Sequence, residues 1–432
     1  MSNVPSSQRG FVDLRSDTVT RPTPEMYEAM MNAPLGDDVL GDEPTVAELE
    51  RLACEMMGKE AAVFVPSGTM GNQIAVPSHC ERGDGAIFEE EAHMLFYECG
   101  GPAVHGQVVT WTLPSKLGVM DPNDVERHIT KKSLHTPGVS LICVENTHNR
   151  AGGTVVPLEM MRAYREIADR HGIKVHLDGA RIFNAAVALA EGQRDLGRNG
   201  SDSLTSHEPR ATKHEPAPSS QVPSPITHHT SQSLARDIAS CADSVSFCLS
   251  KGLSSPVGTV LCGTHEFIAK ARLWRKRLGG GMRQSGILAA CGIVSLTRMV
   301  DRLADDHRRA REMATALEEI GRRVEGWKGG GVEAEQDSGS LPSDHPTIQP
   351  PTLSVDWARV QTNMVLVYVD DGVAWMNDLK AEGVLVLPPA PDRLRLVFHK
   401  DVDDAGLAKA IQGFRKVAER RAGTLAADRG NA

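Results

Sequence analysis

Between Ala61 and Gly263 the chain alternates short apolar runs with longer stretches whose apolar residues recur every three or four positions. Few architectures accept that pattern. Runs such as Val139–Glu145 read as strands buried on both faces, while Leu158–His171, with Met161, Tyr164, Ile167 and Ala168 on one side, reads as an amphipathic helix. Strands predicted at Ala61–Pro66, Ala86–Glu89, Val139–Glu145, Lys174–Leu177, Ser244–Leu249 and Gly258–Gly263, with a helix over Thr69–Cys80, build an α/β fold. Its sheet is mostly parallel and flanked by helices on both faces.

Upstream, an arm leads to a helix near Pro24, with Met26, Met30 and Met31 as its apolar spacing. Thr45 then caps a second helix that runs to about Gly58, with Val46, Leu49, Leu52 and Ala53 on one face. Downstream, one long helix over 286–320 precedes strands at Val365–Val369, Val384–Leu387 and Leu394–Phe398, a smaller C-terminal α/β domain. The expected division is an N-terminal arm and helix over 1–50, a large domain over 51–285, and a helix plus small domain over 286–432. Residues 192–232 are rich in Ser, Pro, His and charge, and residues 328–357 in Gly, Pro and Ser. Neither shows periodicity, so both read as inserted, mobile surface loops. The pair His228-His229 has no partner at ligand spacing, and no metal site is expected.

Composition narrows the partners. A hydrophobic content of 40% with 24% charged residues is that of a soluble globular protein. A net charge of −9 argues against nucleic acid, which needs a basic surface. The basic run Arg272–Arg277 is short and suits a small anion or a subunit contact. Eight scattered cysteines without a C-x-x-C pair fit a reducing compartment. The polar Met1–Arg9 stretch lacks a signal core, and no run of about 18 apolar residues offers a membrane span. A cytoplasmic enzyme without a membrane contact is expected.

Chemistry-bearing residues gather at the ends of the predicted strands. Asp178 closes an apolar run in His176-Leu177-Asp178-Gly179-Ala180-Arg181, and Lys251 follows Cys248-Leu249-Ser250. An acid at one strand end and a lysine at another can hold a pyridine ring, the acid on the ring nitrogen and the lysine in a Schiff base with the aldehyde. Taken singly, Asp178 also reads as a turn cap and Lys251 as a solvated charge. Ser67, Gly68 and Thr69 join a strand to a helix, where free amides and hydroxyls make a phosphate cradle or an ordinary cap. The segment is neither a Walker loop nor a dinucleotide fingerprint. His93 follows the next strand and could stack on a ring and move a proton. The polar Glu145–Asn149 run lies where open α/β sheets bind ligands. Arg15, Arg181, Arg283 and Arg395 are candidate anion ligands, since a guanidinium grips carboxylate and phosphate with two parallel hydrogen bonds.

These segments together resemble the L-threonine aldolase family (low-specificity type), pyridoxal-phosphate enzymes of the aspartate-aminotransferase fold type, also called fold type I. The resemblance extends from Asp13–Thr20 to Arg395–His399 and includes Gly36–Asp42, Ser67-Gly68-Thr69, His176–Arg181, Leu249–Leu253 and Gly279–Gln284. It implies pyridoxal 5′-phosphate as cofactor and cleavage of L-threonine or L-allo-threonine to glycine and acetaldehyde. That reaction belongs to threonine catabolism and glycine biosynthesis. It makes Lys251 the Schiff-base lysine and Asp178 the ring-nitrogen partner. His93 stacks on the ring and is the candidate base, with Ser67, Gly68 and Thr69 on the phosphate. Arg181 lies near the phenolic oxygen and the substrate, and Ser16 and Arg395 hold the substrate carboxylate. Arg283 is expected near the phosphate across a subunit boundary, in a homotetramer or homodimer with shared active sites. A β-eliminating lyase of the same fold, or a non-catalytic interaction protein that kept it, are the alternatives at this point.

Overall fold

The computed structural model describes residues 10–202, 230–328 and 353–430, with side chains at all of these except 193–202, 325–328 and 424–430. The chain opens with strand β1 (Val12–Asp13) and helices α1 (Pro24–Asn32) and α2 (Pro44–Met57). Then come β2 (Ala61–Val65), α3 (Gly68–His79), β3 (Gly85–Glu89), α4 (His93–Phe96) and β4 (Val109–Leu113). A small hairpin of β5 (Ser115–Lys116) and β6 (Val119–Met120) precedes α5 (Pro122–His128) and β7 (Val139–Glu145). Next are α6 (Leu158–His171), β8 (Lys174–Asp178), α7 (Ile182–Asp202), α8 (Ser231–Ser240), β9 (Ser244–Cys248) and β10 (Thr259–Gly263). Helices α9 (His265–Arg277), α10 (Gly286–Arg298) and α11 (Leu303–Lys328) lead to β11 (Ser354–Val355) and β12 (Met364–Tyr368). The chain closes with α12 (Gly372–Ala381), β13 (Val384–Leu385), β14 (Leu387–Ala390), β15 (Arg393–Val397) and α13 (Asp404–Gly430).

The main sheet has the order β2-β10-β9-β8-β7-β3-β4, and only β10 runs against the rest. Its central strands are buried along almost their whole length, as helices on both faces require. Helix α6 shows how locally the boundaries are set. It begins after Pro157 and ends at Gly172, whose φ of 67° is the left-handed cap that glycine adopts without a Cβ clash.

The second sheet, β11-β12-β15-β14, is antiparallel and packs on α11, α12 and α13 around Trp375, Phe398 and Phe414. The N-terminal arm joins the same core through a separate two-stranded sheet. Strand β1 pairs with β13, Val12 and Leu14 are buried in this second core, and the Val397 N–H donates to the Leu14 carbonyl at 2.9 Å. The chain then crosses from the small sheet to the large one through Arg15–Thr18.

Several expectations change. Helix α2 starts two residues earlier than a Thr45 cap would place it, with Glu43 at the cap position and Pro44 first; the Thr45 hydroxyl donates to the Pro34 carbonyl at 2.7 Å instead. Met31 is 86% exposed and contributes nothing to the core. The single helix over 286–320 is two, α10 and α11, separated by a turn at 299–302. The run Val384–Leu387 divides between two strands with different partners. The predicted loop over 192–232 is narrower than its composition implies, because α7 continues to Asp202 and α8 begins at Ser231. Likewise Lys328 ends α11, Leu353 is buried and β11 lies at Ser354–Val355. Residues 203–229, with His228-His229, and 329–352 lie outside the described residues. No described helix is long and apolar enough to cross a membrane.

Candidate active site

Strands β3, β7, β8 and β9 are mutually parallel, so their carboxyl ends share one edge of the sheet. His93, Asn149, Arg181 and Lys251 all follow those ends, the place where open α/β sheets form their ligand crevice. A cavity of about 350 Å³ lies there. Ser16, His93, Arg181, Lys251 and Arg395 line it, together with Thr18, Tyr97, Asn149 and the Leu387–Pro389 run of the small sheet. Its walls therefore come from both sheets and from the arm that links them.

The arm sets the electrostatics. Asp17 is fully buried and takes both Arg181 Nε and Nη2, each at 2.7 Å, in a bidentate pair. Burial alone would raise the Asp17 carboxyl, but the Arg181 guanidinium, with Lys251 and His399, holds it well below the usual range. Arg181 Nη1 reaches Asn149 Oδ1 at 3.4 Å, and Arg395 Nη1 donates to the same oxygen at 3.1 Å. The two arginines differ in one respect. Arg181 is neutralised by Asp17, whereas Arg395 has no acidic partner among the described residues and its Nε is buried without a hydrogen bond. Burial, then the neighbouring Arg181 charge, lowers the Arg395 pKa. An uncompensated guanidinium facing a cavity is a site for an anion. Ser16 Oγ accepts from the Thr18 N–H at 3.2 Å and the Thr18 hydroxyl at 2.9 Å, so its own hydrogen is free to donate.

Asp178 ends β8 and is 3% exposed. It accepts from Asn72 Nδ2 at 2.8 Å on one oxygen and from the Ala180 N–H at 3.1 Å on the other. Asn72 Nδ2 also donates to Glu98 Oε1 at 2.9 Å, and His93 Nδ1 lies 2.9 Å from that same oxygen. Donor atoms of His93, Glu98 and Asp178 thus fall within 4.8 Å of one another. Burial pushes the Glu98 carboxyl up and the Asp178 charge adds to it, against the hydrogen bond from His93. Burial alone would lower His93, but the bond to Glu98 and the charges of Asp178 and Glu145 raise it above an ordinary imidazole.

Other candidates lie apart from this cavity. Ser67 caps α3 by accepting from the Met70 N–H at 3.1 Å. A Cβ at Gly68 would stand 2.8 Å from Cys248 Sγ, so this glycine lets the start of α3 approach the end of β9. Ser67, Gly68 and Thr69 sit at the N-terminus of α3, outside the cavity lining. Arg283 is largely exposed, bonded to Asp37 at 3.0 Å, and within one chain it is not brought to the cavity. A larger cavity of about 580 Å³ lies between the Asp38–Gly41 turn and α9. Two arginines of the basic run there are already committed: Arg275 pairs with Asp38 and the Phe64 carbonyl, and Arg272 with Glu50. Reading the sequence missed Glu98 and the positions of Asn72 and Asp17, which only the long-range topology brings to the site.

Residues 13–326 match the family model described as beta-eliminating lyase. A probable low-specificity L-threonine aldolase 2 of Arabidopsis thaliana is 38% identical over 94% of this chain and 97% of its own length. The low specificity L-threonine aldolase of Escherichia coli (strain K12) is 36% identical over 94% of this chain and 98% of its own. Among solved structures, a Leishmania major threonine aldolase superposes with a TM-score of 0.67 at 17% identity, covering 94% of this chain and 99% of that one. The chain belongs to the beta-eliminating lyase family, and within it to the low-specificity L-threonine aldolases.

Proposed function

We propose that this chain cleaves L-threonine and L-allo-threonine to glycine and acetaldehyde, with pyridoxal 5′-phosphate as cofactor. The observation that carries the reading is the cavity itself. It sets a lysine, an imidazole and an arginine without an acidic partner among the described residues around about 350 Å³ at the carboxyl edge of the sheet. The residues fit the cofactor. Asp178 is a buried carboxylate with one hydrogen bond on each oxygen, within 4.8 Å of a cavity-lining imidazole, and so retains acceptor capacity for a protonated ring nitrogen. Lys251 supplies the amine, and the N-terminus of α3 at Ser67, Gly68 and Thr69 supplies amides for a phosphate. When bound, the cofactor provides the electron sink for the pair left as the Cα–Cβ bond breaks.

The side chains do the rest. Arg395 and Ser16 hold the substrate carboxylate, and Arg181, fixed by Asp17, borders the same space. His93, oriented through Nδ1 by Glu98, presents its other ring nitrogen to take the β-hydroxyl proton. Loss of that proton releases the aldehyde, and a proton delivered to Cα completes glycine. The Leu387–Pro389 run supplies an apolar wall against which more than one β-substituent can rest, in keeping with low specificity.

We further propose a homotetramer or homodimer with shared sites. Arg283 is exposed, and Met31, Leu40 and Leu273 are exposed apolar side chains. Sedimentation velocity tests that, with a monomer as the contrary result. Eight unpaired thiols support a reducing, cytoplasmic setting. The function is tested by incubating the protein with threonine, allo-threonine, β-phenylserine and serine and identifying products. Glycine plus an aldehyde is expected; a keto acid plus ammonia would instead mark β-elimination.

A further inference from the structure

A buried chain of hydrogen bonds runs from α3 to the ring-facing carboxylate. His79 Nε2 lies 2.7 Å from Ser244 Oγ, which lies 2.8 Å from His176 Nδ1. His176 Nε2 is 3.3 Å from Asn72 Oδ1, and Asn72 Nδ2 donates to Asp178 and Glu98. Ser246 Oγ also donates to Asn72 Oδ1 at 2.8 Å. Asn72 is 2% exposed and all four of its hydrogen-bonding positions are used.

The direction of every bond is forced. Asn72 must turn its nitrogen to the two carboxylates, so its oxygen faces His176 and Ser246. Burial holds His176 down at about 4 and His79 at about 3, so both rings are neutral, with one N–H each. His176 therefore carries its proton on Nε2 and accepts on Nδ1. The Ser244 hydroxyl then donates to His176 and accepts from His79 Nε2–H. Each hydrogen is used once, and the series ends on Asp178.

We infer that Asn72 is a positioning residue that keeps Asp178 aimed as an acceptor and, through Glu98, fixes the ring of His93. It is the one described side chain that hydrogen-bonds both carboxylates. This rests on the site reading given above, in which Asp178 meets the ring nitrogen and His93 moves the β-hydroxyl proton. An aspartate in its place would replace two donated hydrogens by a fourth carboxyl group beside Glu98, Asp178 and the Glu145 that accepts from the His93 N–H. Lys251 acts on His93 in the opposite sense, lowering its pKa.

The test compares Asn72→Asp, Asn72→Ala, Ser246→Ala and Asp178→Asn with the wild-type holoenzyme. The readouts are cofactor absorbance, melting temperature, and kcat and KM for threonine from pH 6 to 10. For Asn72→Asp a kcat loss on the order of 10- to 100-fold is expected, the size that corresponds to losing a hydrogen bond to a charged group. KM should change less than about threefold, and the acidic limb of kcat/KM should move to higher pH. Ser246→Ala should show the same shift in smaller degree, and it decides the matter if the Asn72 variants do not fold. An unchanged kcat and limb in folded Asn72 variants, beside a crippled Asp178→Asn, would overturn the inference alone. A fully active Asp178→Asn enzyme would instead overturn the site reading.

Discussion

Asp17→Asn isolates the arm's contribution to the site. Both oxygens of Asp17 are engaged at 2.7 Å, its side chain is fully buried, and that of Arg181 is 5% exposed. An amide keeps one acceptor but points hydrogens at the guanidinium, and it leaves the Arg181 charge buried beside Arg395. Two charges about 4 Å apart attract by roughly 4 kcal/mol at an effective dielectric of 20. Removing one partner of a buried pair costs about 3–5 kcal/mol. The two figures agree, so a loss of about 3–5 kcal/mol is expected. Because the folded carboxyl is held below its unfolded value, this contribution is complete above about pH 4 and disappears only in stronger acid. The deficit should therefore be constant from pH 6 to 9. Urea unfolding of Asp17→Asn, Arg181→Gln and the double variant measures it. The double variant should recover part of the loss, since no charge is left stranded. An Asp17→Asn protein within about 0.5 kcal/mol of wild type would refute the reasoning, being within the range of ordinary surface substitutions.

Two further outcomes follow from the same charges. Arg395→Ala should raise KM for threonine by roughly 10- to 100-fold, the equivalent of about 1.5–3 kcal/mol for a charged hydrogen bond, without loss of stability; an unchanged KM would remove it from carboxylate binding. His176 is buried neutral, with its pKa lowered to about 4, so the unfolded chain binds the extra proton between about pH 6.5 and 4 and stability falls as pH drops through that window. The slope should be shallower by roughly 1 kcal/mol per pH unit in His176→Gln, while His79, held at about 3, contributes alike to both proteins; His148, raised above 6.5 beside Glu145 and Glu89, acts only on the alkaline side. Identical slopes in the two proteins would contradict the neutral assignment.

The sequence conveyed the fold where burial is periodic or continuous. Helix α6 was legible to the residue because Met161, Tyr164, Ile167 and Ala168 mark its face and Gly172 its end. Strand β4 was not, since it is an edge strand whose Val109–Thr112 are exposed and whose threonines interrupt the apolar run. Helix α8 was hidden by the polar stretch before it, although Leu234, Ala235, Ile238 and Ala239 carry its buried face. The division of α10 from α11 falls in a turn without glycine or proline at 299–302. At the site, Asp178, Lys251 and His93 announce themselves by position after strands. Asn72 and Asp17 do not, because their partners Asp178 and Arg181 are 106 and 164 residues away. No local pattern records such a pairing; the sheet order creates it.

The central claim is that Lys251 and Asp178 hold one pyridine ring at the carboxyl edge of the sheet. Its most direct measurement is the absorbance spectrum and threonine-cleaving activity of Lys251→Ala after reconstitution with pyridoxal 5′-phosphate. The account predicts that both the band near the visible edge and the release of acetaldehyde are lost, while the fold is retained. A yellow Lys251→Ala protein that still yields glycine and acetaldehyde would contradict it.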